Sequence, residues 1–444
     1  MSCFTRTGIA RQFLLVSRSA AFNRHQPRFR AKMATCALFK TFVLAPSDKR
    51  MRQKENNLFT TNGKSYSASS ADSAGWQDAS ARSFLRHVSP EEIPPAEDLH
   101  TPESLEQHLC ALGEPPYSVM VVGDIMLGGR TKRPLANHGA DYPFAAALPL
   151  LRRAPIVVGN LEGPFAKKAR RQERNFSYRV NPGLAPALTR AGINVLTLAN
   201  NHLLDCGRPG VLETLDTLGG AGLSPLGAGA NQAEAHRPVI KQVGRWRIGL
   251  LGYYWNRRTA ATADQPGSAM DPAEALEADI GALRGRVDRI VAIFHWGVPY
   301  VREPSPEDRA KARLAIDLGA DAVVGHHPHV IQPFEIYHGR PIFFSVGNFA
   351  FGSGNSRAEG LLLGVRFEEA STIVAAYPLY VKNRDPRVNY QPKVLKGDPS
   401  NQILRRLAAI SGSNGGLLTI EHGRGTLILP CEARNSAASG VRLA

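Results

Sequence analysis

The chain has 444 residues, 43% of them apolar and 21% charged, which is the composition of a soluble globular protein with room for one large domain or two ordinary ones. No apolar run reaches the roughly 18 to 20 residues of a membrane-spanning helix, and five scattered cysteines (Cys3, Cys36, Cys110, Cys206, Cys431) without a Cys-x-x-Cys pair argue against a disulfide framework or a thiolate zinc site. The net charge of +16 is concentrated in residues 1–95, which hold 15 Lys and Arg against 6 Asp and Glu, so the folded part does not read as a nucleic-acid binder and keeps only a mild preference for anionic substrates.

Residues 1 to 50 carry Arg6, Arg11, Arg18, Arg24, Arg28, Arg30 and Lys32 with no acidic residue before Asp48, the composition of a transit peptide. Met33 and Met51 are alternative starts, and an upstream stretch without a role fits this segment equally well. Residues 56–81, rich in Ser, Ala, Asn and Thr, read as disordered. A helical piece is expected over 103–112, and Gly113-Glu114-Pro115-Pro116 closes a basic, largely disordered leader spanning 1–113. A cytoplasmic protein is expected unless the leader directs it to an organelle or envelope.

Beyond the boundary, short apolar strands alternate with helical stretches. Strands are expected at 118–122, 156–158, 195–198, 289–294 and 321–324, with helices at 182–190, 209–218, 272–284 and 306–318. Residues 239–243 and 247–251 form a hairpin turning at Gly244-Arg245. Segments 333–337, 342–346, 361–367 and 372–380 read as antiparallel strands that end the domain at 382. Pro386, Pro392 and Pro399 then break the pattern, and 383–444 is expected to be a small appendage with a helix at 401–410 and a strand at 417–420. The order predicts an α/β fold whose sheets carry helices on their outer faces.

The chemistry collects at strand ends. Asp124 follows Val121-Val122-Gly123, Asn160 and Glu162 follow the strand at 156, Asn200-Asn201-His202 follow the strand at 195, and His295 follows the strand at 289. Gly325-His326-His327-Pro328-His329 crowds three imidazoles at the end of a further strand. An Asp or Asn just past a strand is usually a turn or cap residue. In open α/β sheets, however, carboxyl ends of strands line one crevice, so these coincidences point to one site. Imidazole and carboxylate together suit a transition metal.

These segments, with Asp205 before Gly207 and Ser345-Val346-Gly347-Asn348-Phe349, stand in the order found in the CapA (poly-γ-glutamate capsule biosynthesis) family of calcineurin-like metallophosphoesterases, which the chain resembles over 119–352. The resemblance implies a four-layer α/β/β/α sandwich with two divalent ions (Mn, Fe or Zn) between the sheets. It makes Asp124 a ligand of the first ion, Glu162 the bridging carboxylate, Asn201 and His295 ligands of the second, and His327 and His329 one ligand for each; His326 replaces His327 or supports it from behind. His202 corresponds to the histidine that protonates the leaving group. Asp205 either orients His202 or forms an Asx turn, and Arg130, Arg179 and Lys132 either grip an anionic substrate or are solvated surface charges. Met126 stands where the wider superfamily carries a histidine, and Glu162 is longer than the usual bridging aspartate. The resemblance leaves two functions open: hydrolysis of a phosphoester or related anionic bond, or non-catalytic binding of a polyanion, alongside other capsule-synthesis proteins.

Overall fold

The computed structural model describes residues 93–173, 176–354 and 359–431, so the basic leader and its predicted targeting lie outside the described residues. Strand Val119–Met126 (β1) is buried along its whole length, the signature of a strand covered on both faces. It pairs in parallel with Ile156–Leu161 (β2), followed by Val195–Thr197 (β3) and Ser224–Leu226 (β4). The short strand Ala228–Gly229 (β5) comes next. Val239–Val243 (β6) and Trp246–Tyr254 (β7) form the predicted hairpin, and Gly267–Ser268 (β8) pairs with β5. Arg289–His295 (β9) and Ala322–His326 (β10) lie parallel to β7 and to each other. Phe334–Tyr337 (β11) and Arg340–Phe343 (β12) complete a six-stranded sheet of order β11-β12-β10-β9-β7-β6.

The chain then returns to the first sheet. Asn348–Phe351 (β13) pairs in parallel with β1, and Glu359–Phe367 (β14) pairs with β1 in the opposite sense. Ser371–Tyr380 (β15), Lys393–Val394 (β16), Thr419–Glu421 (β17) and Arg424–Pro430 (β18) extend it antiparallel, giving the order β17-β18-β15-β14-β1-β2-β3-β4.

Alternation along the strands builds the layers. Val119, Val121, Ile156 and Val158 of the larger sheet meet Ile248, Leu250, Val291 and Ile293 of the smaller one in a shared core. Met120, Val122 and Val157 point the other way, onto a core with Leu150, Leu188, Val211 and Leu218 from the covering helices. Ile290, Ala292 and Phe294 likewise leave the inter-sheet core for one built with Leu276, Ile280, Ala312 and Ile316, contributed by the helices Ala273–Leu283 and Pro306–Asp317. Helix, sheet, sheet and helix therefore stack as four layers.

Two boundaries differ from the sequence reading. Helix Pro102–Ala111, inside the segment read as leader, is closed by a Thr101–Ser104 capping box and buries Leu105 and Leu109 fully in the outer core. The apolar pair at four-residue spacing is one helical stripe, too short to outweigh the polar composition around it. In place of a C-terminal appendage, β18 pairs with β15 from Pro430 to Gly425 and sends Leu427 and Leu429 into the inter-sheet core. A tight turn with positive φ at His422 and Gly423 forms this hairpin, and the upstream prolines concealed it.

Candidate metal centre

The parallel strands of both sheets end at the same rim. Asp124 lies near the end of β1 in register with Asn160 of β2, and Asn348 at the start of β13 pairs with Asp124 on the other side. In the smaller sheet His295 and His326, the last residues of β9 and β10, are register partners. All five of these side chains are buried.

Asn160 sits at the centre. Its amide nitrogen lies 2.7 Å from Asp124 Oδ1, 2.9 Å from Glu162 Oε1 and 3.2 Å from His295 Nδ1, three acceptors sharing two N–H hydrogens. Its carbonyl oxygen accepts from Asn200 Nδ2 at 3.1 Å, which fixes the orientation of the amide. His295 donates through Nε2 to Asn201 Oδ1 at 3.0 Å, so its Nδ1 lone pair faces Asn160 and Glu162 Oε1, the latter 3.8 Å away. His329 Nδ1 lies 2.9 Å from both Asn348 Oδ1 and Asp124 Oδ2, leaving Nε2 3.8 Å from Glu162 Oε2. His202 Nδ1 donates to Asp205 Oδ2 at 2.8 Å, and its Nε2 is 3.9 Å from Glu162 Oε2. Asp205 is thus the partner of His202, and the same oxygen also accepts the Tyr178 backbone N–H.

His327 and His329 both adopt positive φ, at 98° and 55°, a conformation that costs non-glycine residues energy and is retained where the surroundings demand it. The turn they form brings the His327 ring within 4.5 Å of His295 and 5.8 Å of His329. Among the described residues, Glu162, His327 and His329 are the group of acidic, histidine or cysteine side chains that could hold a metal ion, with ligand atoms all within 4.8 Å of one another. His326 Nε2 lies 3.0 Å from the Val122 carbonyl and ties the two sheets together, while its Nδ1 is buried without a hydrogen-bond partner.

The electrostatics favour a cation. Burial, then the neighbouring Asp124 charge, pushes Glu162 well above the usual carboxylate range. Burial alone would raise Asp124 too, but hydrogen bonding from His329, the adjacent imidazoles and Asn160 outweigh it and hold this carboxyl below its ordinary value. Burial and the neighbouring histidines lower His295 well below its normal value and bring His327 down to about 3, so both imidazoles are neutral with lone pairs available. Glu162 Oε2 and His327 Nδ1 are buried without a hydrogen-bond partner. Carboxylate, imidazole and amide donors of this kind fit Mn, Fe or Zn.

The model of the bacterial capsule synthesis protein family PGA_cap matches residues 118–353, which contain every one of these groups. The chain belongs to the PGA_cap family. This family lies within the metallophosphoesterase superfamily. The capsule biosynthesis protein CapA of Bacillus anthracis is 34% identical over 303 residues, 65% of this chain and 72% of that protein. The PGA biosynthesis protein CapA of Bacillus subtilis is 34% identical over 245 residues, 54% of this chain and 64% of that protein. A probable polyglutamine synthesis accessory protein of Mycobacterium tuberculosis is 34% identical over 223 residues, and this chain spans 59% of its length. Among solved structures, a putative 5'-nucleotidase from Staphylococcus aureus aligns with TM-score 0.36 and 16% identity, over 63% of this chain and 52% of that one.

In this PGA_cap chain Met126 is fully buried, and its sulfur accepts the Gly128 N–H at 3.1 Å. Of the cationic candidates, Lys132 and Arg179 line a cleft of about 860 Å³ beside the centre, whereas Arg130 is exposed and is not among the lining residues. Sequence reasoning placed Asn160 and Asn200 among the strand-end candidates without a role of their own, and Asn348 only within a quoted motif. Their position beside Asp124, Glu162 and His202 in sequence was the available signal. Among the described residues, no helix is long and apolar enough to cross a membrane.

Proposed function

We propose that this chain is a metal-dependent hydrolase of a phosphoester or related anionic bond, acting in the synthesis of a capsule-type polymer such as poly-γ-glutamate together with other capsule-synthesis proteins. One observation carries the reading. Glu162 Oε2 is buried without a hydrogen bond yet faces His202 at 3.9 Å and His329 at 3.8 Å, with His327 in the same group. An unsatisfied buried polar atom costs about 1–3 kcal/mol, a cost that a bound cation removes.

Asp124, Glu162, Asn201, His295, His327 and His329 would hold one or two divalent ions of Mn, Fe or Zn. Bound there, the ions supply charge neutralisation for an anionic group and activation of a water. The remaining work falls to the chain. Asp205 holds the His202 tautomer in which Nε2 faces the centre, so that this nitrogen can carry a proton to a leaving oxygen. Asn160, locked by Asn200, keeps Asp124, Glu162 and His295 in mutual register. Arg179 and Lys132 draw an anionic group toward the rim.

Elemental analysis of purified protein and a phosphomonoester and phosphodiester panel test the reading. Near-stoichiometric transition metal and a turnover lost by at least about a hundredfold in Asp124→Asn and His202→Ala are expected. Absence of both metal and variant-sensitive turnover sinks it. A second reading, a non-catalytic polyanion-binding component of synthesis or export, draws on Met126 standing where a superfamily histidine would ligate the first ion. It predicts metal or polyanion binding without turnover, with polymer lost on gene deletion; normal polymer in the deletion strain counts against it.

A further inference from the structure

The cleft beside the centre holds more cations than the two, Lys132 and Arg179, that the hydrolytic reading uses. It is lined by Lys132, Arg170, Arg171 and Arg179, with Glu173 as the acidic lining residue and Phe176 and Tyr178 as aromatic walls. Among the described residues none of these four cations makes an ion pair within 4.0 Å. Elsewhere arginines are routinely matched, as in Arg153–Glu106, Arg190–Asp141, Arg313–Glu335, Arg387–Asp385 and Arg406–Glu359. All four are exposed at the surface, and together they present an anion with a concentrated positive potential.

The cleft is also held rigidly against the centre. Tyr178 forms part of its wall, packs its ring 4.5 Å from the His202 imidazole, and donates its backbone N–H to Asp205 Oδ2 at 2.6 Å. The Gln172 N–H donates to the Asp205 carbonyl at 2.6 Å, and the Arg171 guanidinium is tethered to the Ser177 carbonyl at 2.8 Å. Two guanidinium groups next to each other in sequence, one of them fixed in place, suit bidentate recognition of carboxylate or phosphate. Phe176 is 71% exposed, an apolar surface at the edge of the same concavity.

We infer that Lys132, Arg170, Arg171 and Arg179 form a subsite for a second anionic group of the substrate, so that the protein selects an extended polyanion over a compact ester with a single charged group. This rests on the reading of the adjacent centre as a hydrolytic site, but the binding it predicts does not require turnover. Carboxylate and phosphate share the chemistry that such a subsite recognises.

Binding of fluorescein-labelled decaglutamate and of labelled tripolyphosphate to the full chain, stripped of metal with EDTA, is measured by anisotropy at low and moderate salt. The variants are Arg170→Glu/Arg171→Glu, the charge-conserving Arg170→Lys/Arg171→Lys, the remote Arg405→Glu, and His329→Ala in the centre. The charge-reversed pair is expected to weaken binding of at least one probe by more than about tenfold, and the probe that binds tighter identifies the anion. Arg405→Glu and His329→Ala should each stay within about threefold of the parent, whereas the lysine pair, which keeps the charge but loses the bidentate fork, should fall between the parent and the charge-reversed pair. Unchanged binding in the charge-reversed pair, or an equal loss in Arg405→Glu, overturns the subsite. If the subsite binds while no metal-dependent turnover is found, the hydrolytic reading fails and the subsite stands.

Discussion

At the scale of single residues, the site is a set of side chains each given one free lone pair by a neighbour. Asp205 takes the Nδ1 proton of His202, Asn201 takes the Nε2 proton of His295, and Asn348 takes the Nδ1 proton of His329, with Asp124 Oδ2 at 2.9 Å from the same nitrogen. Partners of this kind orient the ring and tune its basicity. Asp205→Asn should therefore lower kcat about 10- to 100-fold with little change in KM or metal content, read by steady-state kinetics and elemental analysis. An unchanged kcat would reduce Asp205 to a turn residue. Glu162 makes a second prediction. Burial and Asp124 hold it well above its normal pKa, so a proton competes with a cation for this carboxylate. Metal affinity should rise with pH, by up to about tenfold per unit for one released proton, and calorimetry in two buffers of different ionisation enthalpy should detect the release. The candidates Asp124, Glu162, His295 and the paired histidines were legible because each is a polar residue ending an apolar run. Asn160 was legible by the same mark as a member of the site, but not as the residue that organises the others, because that role depends on which side chains meet around it.

At the scale of elements, the centre depends on strands crossing closely where they end. A Cβ on Gly123 would lie 2.1 Å from the Gly347 carbonyl oxygen, so β1 reaches its register with β13 only because residue 123 has no side chain. Gly123→Ala must separate Asp124 from Asn348. A loss of about 3 kcal/mol or more in denaturant unfolding, together with loss of metal binding, is expected. Wild-type stability in this variant would mean that the approach relaxes easily. Gly325 is held the same way, its missing Cβ facing the Phe344 carbonyl and the Trp296 indole. The repeated strand and helix signals made β1, β2, β9, β10 and the intervening helices legible. The final hairpin was legible only in its first arm, the strand expected at 417–420, since β18 offers just the short apolar run Leu427-Ile428-Leu429 after a proline-rich stretch.

At the scale of the whole molecule, folding commits several imidazoles to a neutral state. His100 is brought down to about 4 by burial, with His108 and Lys396 adding to the shift, and His327 down to about 3; His295 and His326 are lowered too, mainly by burial. Unfolded, each takes a proton near pH 6.5. Between that value and the folded pKa the unfolded chain binds more protons, so this stabilisation is complete above about pH 6.5 and is lost as the pH falls. The metal-free protein should melt at progressively lower temperature from pH 7 to pH 4. His100 alone should contribute about 1–2 kcal/mol of loss at pH 5, and His100→Gln should flatten the decline. A melting temperature independent of pH across that window would contradict this. Bound metal adds to stability by mass action, and adds more at high pH where its affinity is greater, so EDTA should lower the melting temperature most near neutral pH and make the dependence shallower.

By itself, the sequence determined that apolar strands would alternate with helices and end in ligand-type side chains, because periodicity and the polarity of single residues are local properties of the chain. It also carried the order of motifs that identifies the PGA_cap family. Tertiary structure alone decided which of those ends meet. The shared rim arises from two sheets packing face to face, so that β1 and β2 of one bring Asp124 and Glu162 opposite His295 and His327 at the ends of β9 and β10 of the other. The same packing separated His326, which bonds across the sheets to Val122, from His329, three residues away in sequence and in contact with Asp124. Spacing along a chain cannot distinguish these two histidines, because their roles depend on which neighbour the second sheet presents to each.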